Sequence, residues 1–343
     1  PPLLLQLLYN RNVLDDPLAF LAADESLCHD PLLLPDMAKA VDRIKRALVG
    51  QEKVVVYGDF DSDGVAATVV LVQGLSALGG DVSPYIPHRI DEGHGLNHDA
   101  LDRLVDNGIN LVITTDCGVT AYTEIERAQA KGLDIVVTDH HTVPDVLPLA
   151  IAVVDAKRSD AKYPFAELAG VGVAYKLLCA LFAAMGKDKG EAEQYLDLVA
   201  LGTIADLVPL FGENRYLAKR GLEVLNRSER LGFRELINSA GLNLGQIDSD
   251  DISFYLAPRI NTAARLDHAI SSYRLLNTDL PEEALAICKA LEVTNKERQR
   301  LTGEVLDDVK EKLMVSGIDQ PLLMAGDANY HSGVIGIVAG RLC

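Results

Sequence analysis

Residues 54–64 read Val-Val-Val-Tyr-Gly-Asp-Phe-Asp-Ser-Asp-Gly, an apolar β-branched run that stops in three alternating aspartates. Residues 53–58 have the composition of a buried strand, and residues 65–78 (VAATVVLVQGLSAL) that of the helix after it. Asp59, Asp61 and Asp63 therefore stand at the carboxyl end of a strand, where open α/β sheets bind their ligands. Carboxylates crowded this closely raise one another's pKa unless a cation neutralises them, and a hard divalent cation is the simplest remedy. DFDSDG also matches the opening of an EF-hand loop. Position 12 of such a loop is Val70 here where Glu is required, and a strand precedes it where a helix belongs. A solvated acidic turn is the alternative that this stretch alone leaves open.

Outward from it, strands and helices alternate between residues 53 and 155. VVVYGDF, VSPYIPHR, NLVITTD, DIVVTDHH and IAVVDA read as strands, with helical patterns at 65–78, 97–107 and 121–131. Such alternation with short connections predicts an α/β fold, a parallel sheet wound with helices. The amphipathic segment DMAKAVDRIKRALVG closes an N-terminal helical extension over 1–50, and the sheet domain with a helical region behind it spans 51–279. Residues 280–317 form a long connector helix, opened by Asp279 and Glu282 at capping-box spacing. Residues 318–343 begin a second α/β domain with a strand pattern, PLLMAG, and a helix pattern, GVIGIVAGRL. One such pair cannot bury its own apolar faces, so Val334, Ile335, Ile337, Val338 and Leu342 are expected to pack loosely in an incomplete domain.

The chain has 343 residues, 48% of them hydrophobic and 24% charged, an ordinary globular composition able to bury large cores. No segment reaches membrane-spanning length, and the leading PPLLLQLLYNRNV lacks the basic start and cleavage site of a signal peptide. Cys28, Cys117, Cys179, Cys288 and Cys343 show no C-x-x-C spacing, which disfavours a disulfide framework and a zinc site and suits a cytoplasmic setting. A net charge of −18 argues against a phosphate-rich partner unless bound cations or a local basic patch reverse the field at the site.

Three strands end in candidate ligands: Asp59, Asp61 and Asp63 on the first, Asp116 on LVITTD, and Asp139, His140 and His141 on DIVVTD. Parallel strands bring these ends to one edge of the sheet. Asp206, alone in the apolar run LVALGTIADLVPL (198–210), also needs a partner. Carboxylates with imidazole and no thiol suit Mn²⁺ or Mg²⁺, and the ligand count fits two ions. Paired ions roughly 3.5 to 4 Å apart serve phosphoester hydrolysis. Arg89, Arg259, Arg265 and the connector's Lys296, Arg298 and Arg300 are candidate phosphate groups. His331-Ser332-Gly333 precedes a helix whose N-terminus could hold an anion. No P-loop is present, and GVG at 170–172 lacks the third glycine of a dinucleotide fingerprint.

Gly58-Asp59-Phe60-Asp61-Ser62-Asp63-Gly64, Thr115-Asp116-Cys117-Gly118, Asp139-His140-His141 and Gly202-Thr203-Ile204-Ala205-Asp206 together resemble the DHH phosphoesterases. LAGVGVAYKL (168–177), APRINTAARLD (257–267) and HSGVIGIVAGRL (331–342) point, within that family, to its bacterial single-strand-specific 5′-to-3′ DNA exonucleases of repair and recombination. The resemblance implies Asp61, Asp63, Asp116, His140 and Asp206 as metal ligands, Asp116 bridging two ions, with Asp59 supporting them and His141 at the scissile phosphate. It implies Arg89, Arg259, Asn261, Arg265, His331 and Gly333 as substrate contacts. The implied partner is single-stranded DNA entering a cleft before the last unit, with a helicase and a single-strand-binding protein around a monomeric enzyme. Ala264 and His94 depart from the family pattern, Gly and an aromatic respectively, and neither is expected to touch a ligand. The competing expectations are hydrolysis of short oligoribonucleotides or cyclic dinucleotides, and a catalytically silent replication scaffold.

Overall fold

The computed structural model describes residues 2–11, 13, 16–317 and 321–342. Its centre is a five-stranded sheet, β1 (Lys53–Gly58), β2 (Asp81–Tyr85), β3 (Leu111–Thr115), β4 (Asp134–Thr138) and β5 (Ala152–Val154), in the order β2-β1-β3-β4-β5. Every neighbouring pair is parallel. The strands are continuous apolar runs because both faces are covered. Val54 and Val56 of β1 point into one core, and Val55 and Tyr57, one residue out of step, point into the other. Pro84 falls on the edge strand β2, where its missing N–H costs no inner ladder bond.

Three short or peripheral elements open the chain: α1 (Pro2–Asn10), α2 (Pro17–Ala22) and then α3 (Met37–Val49). The crossovers are α4 (Ser62–Ala77), α5 (His98–Asp106) and α6 (Tyr122–Ala130). The larger core lies beneath α3 and α4, and α5 and α6 cover the opposite face. Met37 and Ile44 of α3 belong to the sheet's own core, so the segment before residue 50 covers the sheet. α7 (Gly170–Ala184), α8 (Leu196–Ala205), α9 (Gly212–Leu225) and α10 (Leu231–Ser239) form the second helical layer. α4 is consequently buried almost all round and has lost amphipathic patterning.

Helix α4 begins three residues earlier than its apolar pattern indicated. The Asp61 carboxylate accepts from the N–H groups of Asp63 (2.9 Å) and Gly64 (3.1 Å), an N-cap that places Asp63 inside the first turn. A short turn α11 (Ser249–Asp251), a π turn at Ile252–Leu256, α12 (Ala257–Leu266) and α13 (Ile270–Asn277) lead to the connector α14 (Pro281–Ser316). The capping box anticipated from Asp279 and Glu282 does not form. Leu280 occupies the cap, Pro281 the first turn, and Thr278 ties the entry by accepting from Leu280 N–H (3.1 Å) and donating to Glu283 (2.6 Å).

The last unit differs from expectation in two respects. Residues 321–326 form no strand, since no second strand there offers a ladder. In α15 (Ser332–Leu342), Val334 and Val338 are buried against Val305, Val309 and Leu313 of α14, so the connector supplies the apolar face the unit lacks. Ile335 remains exposed, with Ile337 and Leu342 half-buried. Among the described residues no helix is long and apolar enough to cross a membrane.

Candidate metal centre and anion-binding face

Strand β1 pairs with β2 on one side and β3 on the other, so the chain order reverses between β1 and β3, and a crevice opens at their carboxyl ends. Asp59 follows β1 and Asp116 follows β3 in that crevice. Asp116 sits at φ 62°, a left-handed conformation that costs a non-glycine residue energy and persists where the surroundings enforce it. Those surroundings are close. A Cβ on Gly170 would lie 2.6 Å from Asp116 Oδ1, and one on Gly202 2.6 Å from Asp63 Oδ1, so both glycines let helices approach the carboxylates. The GVG run thus has a role unrelated to dinucleotides: N–H groups of Gly170 (2.7 Å) and Val171 (2.9 Å), at the start of α7, donate to the two oxygens of Asp63.

His140 Nε2 lies 3.0 Å from Asp116 Oδ1, 3.7 Å from Asp206 Oδ2 and 3.9 Å from Asp63 Oδ2. Three overlapping sets bring ligand atoms within 4.8 Å of one another: Asp59, Asp61 and Asp116; Asp63, His140 and Asp206; and Asp116, His140 and His141. Asp116 and His140 each belong to two sets. Buried Asp59 Oδ1, Asp116 Oδ1 and His140 Nε2 have no hydrogen-bond partner. Buried polar atoms are ordinarily satisfied, so orphans converging on one space mark a site shaped for something to fill it.

The electrostatics agree. Burial first, then the neighbouring carboxylates, pushes Asp63 and Asp116 well above the usual carboxylate range, and Asp206 rises to about 6 for the same reasons. Burial also pulls His140 down to about 4, leaving a neutral imidazole fit to ligate a cation. Asp139 stands apart from this crowd. Burial raises its pKa, but the His141 hydrogen bond and the Val119 and His140 N–H groups outweigh it and keep Asp139 low. His141 Nδ1 donates to Asp139 Oδ1 at 2.7 Å, which raises His141 to about 8 and turns the other ring nitrogen toward the site. Asp139 is therefore occupied by the His141 ring and by backbone N–H groups, unlike the other carboxylates of the crevice.

Positive groups approach from the α12 side. Arg89 lies over the Phe60 ring at 5.1 Å, and the half-buried Arg265 guanidinium has Arg89 and Arg298 as electrostatic neighbours, with Asp61 an attractive charge acting on it. Arg259 is directed away, bonded to Glu292 (2.9 Å) and the Tyr255 carbonyl. Asn261 Oδ1 accepts from Ser62 N–H (2.7 Å) and Oγ (2.9 Å), bracing the aspartate turn. His331 Nδ1 accepts from Gly333 N–H, and the Gly333 carbonyl accepts from Arg265, so this trio joins α12 to α15. The basic run on the connector splits by helical phase. Arg298 is buried beside Asn295, whereas Lys296 and Arg300 face solvent and pair with glutamates.

Two features escaped the sequence. His94 Nε2 lies 3.5 Å from Asp59 Oδ2, edge-on to Phe60 and His141, contrary to the expectation that it touches no candidate ligand. Asp155, buried at the end of β5, keeps Oδ2 without a partner. Only the β4–β5 register, Thr138 beside Val154, brings it next to Asp139.

With this geometry in place, comparison with known proteins is informative. The profile of the DHH family, N-terminal domain, matches residues 53–203. The single-stranded-DNA-specific exonuclease RecJ of Bacillus subtilis (strain 168) is 40% identical over 99% of this chain and 43% of that protein. RecJ of Thermus thermophilus is 36% identical over 96% of this chain and 46% of its own length, so the chain spans about half the length of the curated relatives it matches. A crystal structure of exonuclease RecJ bound to manganese superposes with a TM-score of 0.81 at 37% identity, over 90% of this chain and 77% of that one. Identity of that extent, across both the sheet and its helical layer, establishes that the chain belongs to the DHH family and, within it, to RecJ.

Proposed function

We propose that the chain carries the catalytic centre of a metal-dependent phosphodiesterase that removes nucleotides from the 5′ end of single-stranded DNA. The observation that carries this reading is the set of three overlapping ligand groups sharing Asp116 and His140. The residues fit the cations: hard carboxylate oxygens, one neutral imidazole, no thiol, and orphaned buried atoms facing one another. Asp61, Asp63, Asp116, His140 and Asp206 would hold two ions, with Asp116 shared and Asp59 supporting. Bound there, Mn²⁺ or Mg²⁺ would supply Lewis acidity toward a phosphoryl oxygen and would lower the pKa of water.

The chain's own residues supply the rest. His141, held protonated by Asp139, donates a charge-assisted hydrogen bond to the phosphate at the site. Arg89 and Arg265 take the negative charge of the strand, which answers the objection raised by a net charge of −18. Gly333, tied to His331, holds Arg265 and the α12–α15 seam in place, Arg259 ties α12 to α14 through Glu292, and Asn261 fixes the turn after Asp61 through Ser62. The strand would enter between the sheet domain and the unit after the connector, and a cytoplasmic monomer working on strands opened by a helicase and held by a single-strand-binding protein follows from the same reading.

Digestion of 5′- and 3′-labelled single strands of DNA and RNA with Mn²⁺ tests it. Mononucleotides released from the 5′ end of DNA, with Asp116→Ala inactive yet folded, are expected. Preference for short oligoribonucleotides or cyclic dinucleotides, or no hydrolysis of any substrate, would overturn it.

A further inference from the structure

The turn after β5 carries chemistry that the reading above leaves unused. Strand register puts Val154 beside Thr138, and Asp139 N–H donates to the Val154 carbonyl (3.1 Å), so residues 155–157 run alongside Asp139-His140-His141 at the same sheet edge. Asp155 Oδ1 accepts from Lys157 N–H at 2.7 Å, and the Asp155 carbonyl accepts from Arg158 N–H, which closes the turn. The two cations of the turn differ in kind. Arg158 is consumed by structure, bonded to Asp36 (2.6 Å), Asp160 (2.7 Å) and the Val153 carbonyl. Lys157 is half-buried, and its ammonium has no hydrogen-bond or ion-pair partner among the described residues.

Lys157 is thus a half-buried cation left unpaired in a chain with 50 acidic and 32 basic residues. The β4–β5 register sets this turn beside the Asp139-His140-His141 edge, and the electrostatics agree: after burial, the dominant influence on all three, Lys157 acts on Asp206 and His140 as well as on Asp155. Arg265, on α12, has Asp61 among its electrostatic neighbours at the other flank of the centre. A phosphate among these ligands would therefore meet cations from two flanks.

We propose that Lys157 is a further substrate-binding residue, whose ammonium takes a non-bridging oxygen of the phosphate beside His140 and Asp206, and that Asp155 is the positioning residue that fixes its turn. The assignment rests on the phosphodiesterase reading. A lysine suits this task as a mobile point charge that can follow the strand as it advances by one nucleotide. Asp155 acts through its acceptor oxygen on Lys157 N–H, so an amide at that position retains the function and a methyl group does not.

The test compares Lys157→Met, Lys157→Arg, Asp155→Asn and Asp155→Ala with the wild type in three measurements. These are initial rates on a 5′-labelled DNA strand, Mn²⁺ affinity by calorimetry without DNA, and strand binding by anisotropy across a salt series with Ca²⁺ in place of Mn²⁺. Lys157→Met is expected to lower kcat/KM roughly 10- to 100-fold, the range of a lost charge-assisted hydrogen bond. It should also reduce the salt slope of binding by about 0.7. Mn²⁺ affinity should stay within twofold, Lys157→Arg should restore most of the loss, and Asp155→Ala should fall between while Asp155→Asn stays near wild type. An active wild type with Lys157→Met indistinguishable from it, or with Mn²⁺ affinity lost in parallel, overturns the assignment of Lys157 alone. A wild type inert toward every strand overturns the hydrolytic reading itself.

Discussion

Gly170→Ala isolates the geometry of the centre from its chemistry. Gly170 has no left-handed backbone to protect, and its N–H bond to Asp63 survives in alanine, so crowding is the only direct effect. The new Cβ would lie 2.6 Å from both Cβ and Oδ1 of Asp116, whereas ordinary contact begins at 3.4 Å, so the carboxylate must retreat by roughly 0.8 Å. Asp116 cannot swing freely, because its left-handed backbone is locked between Gly170 and the ladder bond from its N–H to the Thr138 carbonyl. A misplacement near 1 Å costs about 10²-fold in rate, and disturbed ligand support costs about 10- to 100-fold in metal affinity. Stability should fall by only about 1 to 3 kcal/mol, the usual cost of one added methyl in a packed core. Gly172→Ala is the control two residues on, where a Cβ would meet only Leu168 at 3.4 Å. Mn²⁺ titration, initial rates and urea midpoints of both variants decide it. Gly170→Ala with affinity and rate within twofold of wild type, and folded, would refute the claim that α7 presses on the Asp116 carboxylate.

Two further outcomes follow from buried charges. Asp155 has its pKa raised from 3.8 to about 7 by burial, so its contribution to stability is fully present below pH about 4 and is lost as pH rises through about 7. Metal-free wild type should lose on the order of 4 kcal/mol over that window relative to Asp155→Asn, and parallel pH–stability curves would contradict this. Glu213 is fully buried and takes hydrogen bonds from Lys176 (2.5 Å), the Tyr163 hydroxyl and His29 N–H. Lys176→Met leaves that charge without its cation and should destabilise the fold by about 3 to 5 kcal/mol in urea denaturation, with Lys176→Met/Glu213→Gln recovering much of the loss.

The sheet and the strand-end ligands were legible in the sequence because both rest on local patterns. Uninterrupted β-branched runs demand a sheet buried on two faces, and parallel strands carry Asp59, Asp116 and His140 to one edge whatever the loops do. The start of α4 was legible in principle, since Asp61 two and three residues before two N–H donors is an N-cap signal that the apolar run at 65–78 obscured. Asp155 and Lys157 were not, because their proximity to the centre depends on the β4–β5 register and on a turn with no motif. His94 lies in a loop of glycines and is delivered to Asp59 by packing against Phe60. Asn261, a substrate contact by resemblance, also accepts from Ser62 N–H, a contact that helical phase and not local sequence sets. The fate of PLLMAG was likewise non-local, since a strand pattern becomes a strand only where a ladder partner exists.

The central claim is that Asp116 joins two cation sites built from Asp59, Asp61, Asp63, His140 and Asp206. Electron paramagnetic resonance of Mn²⁺ during titration of metal-free protein tests it directly, since bound and free ions are counted and neighbouring bound ions alter each other's spectrum. The account predicts two saturable ions per chain with a spin-coupled signal, and loss of that coupling in folded Asp116→Ala. One ion or none in the wild type, or an unchanged coupled pair in Asp116→Ala, would contradict it.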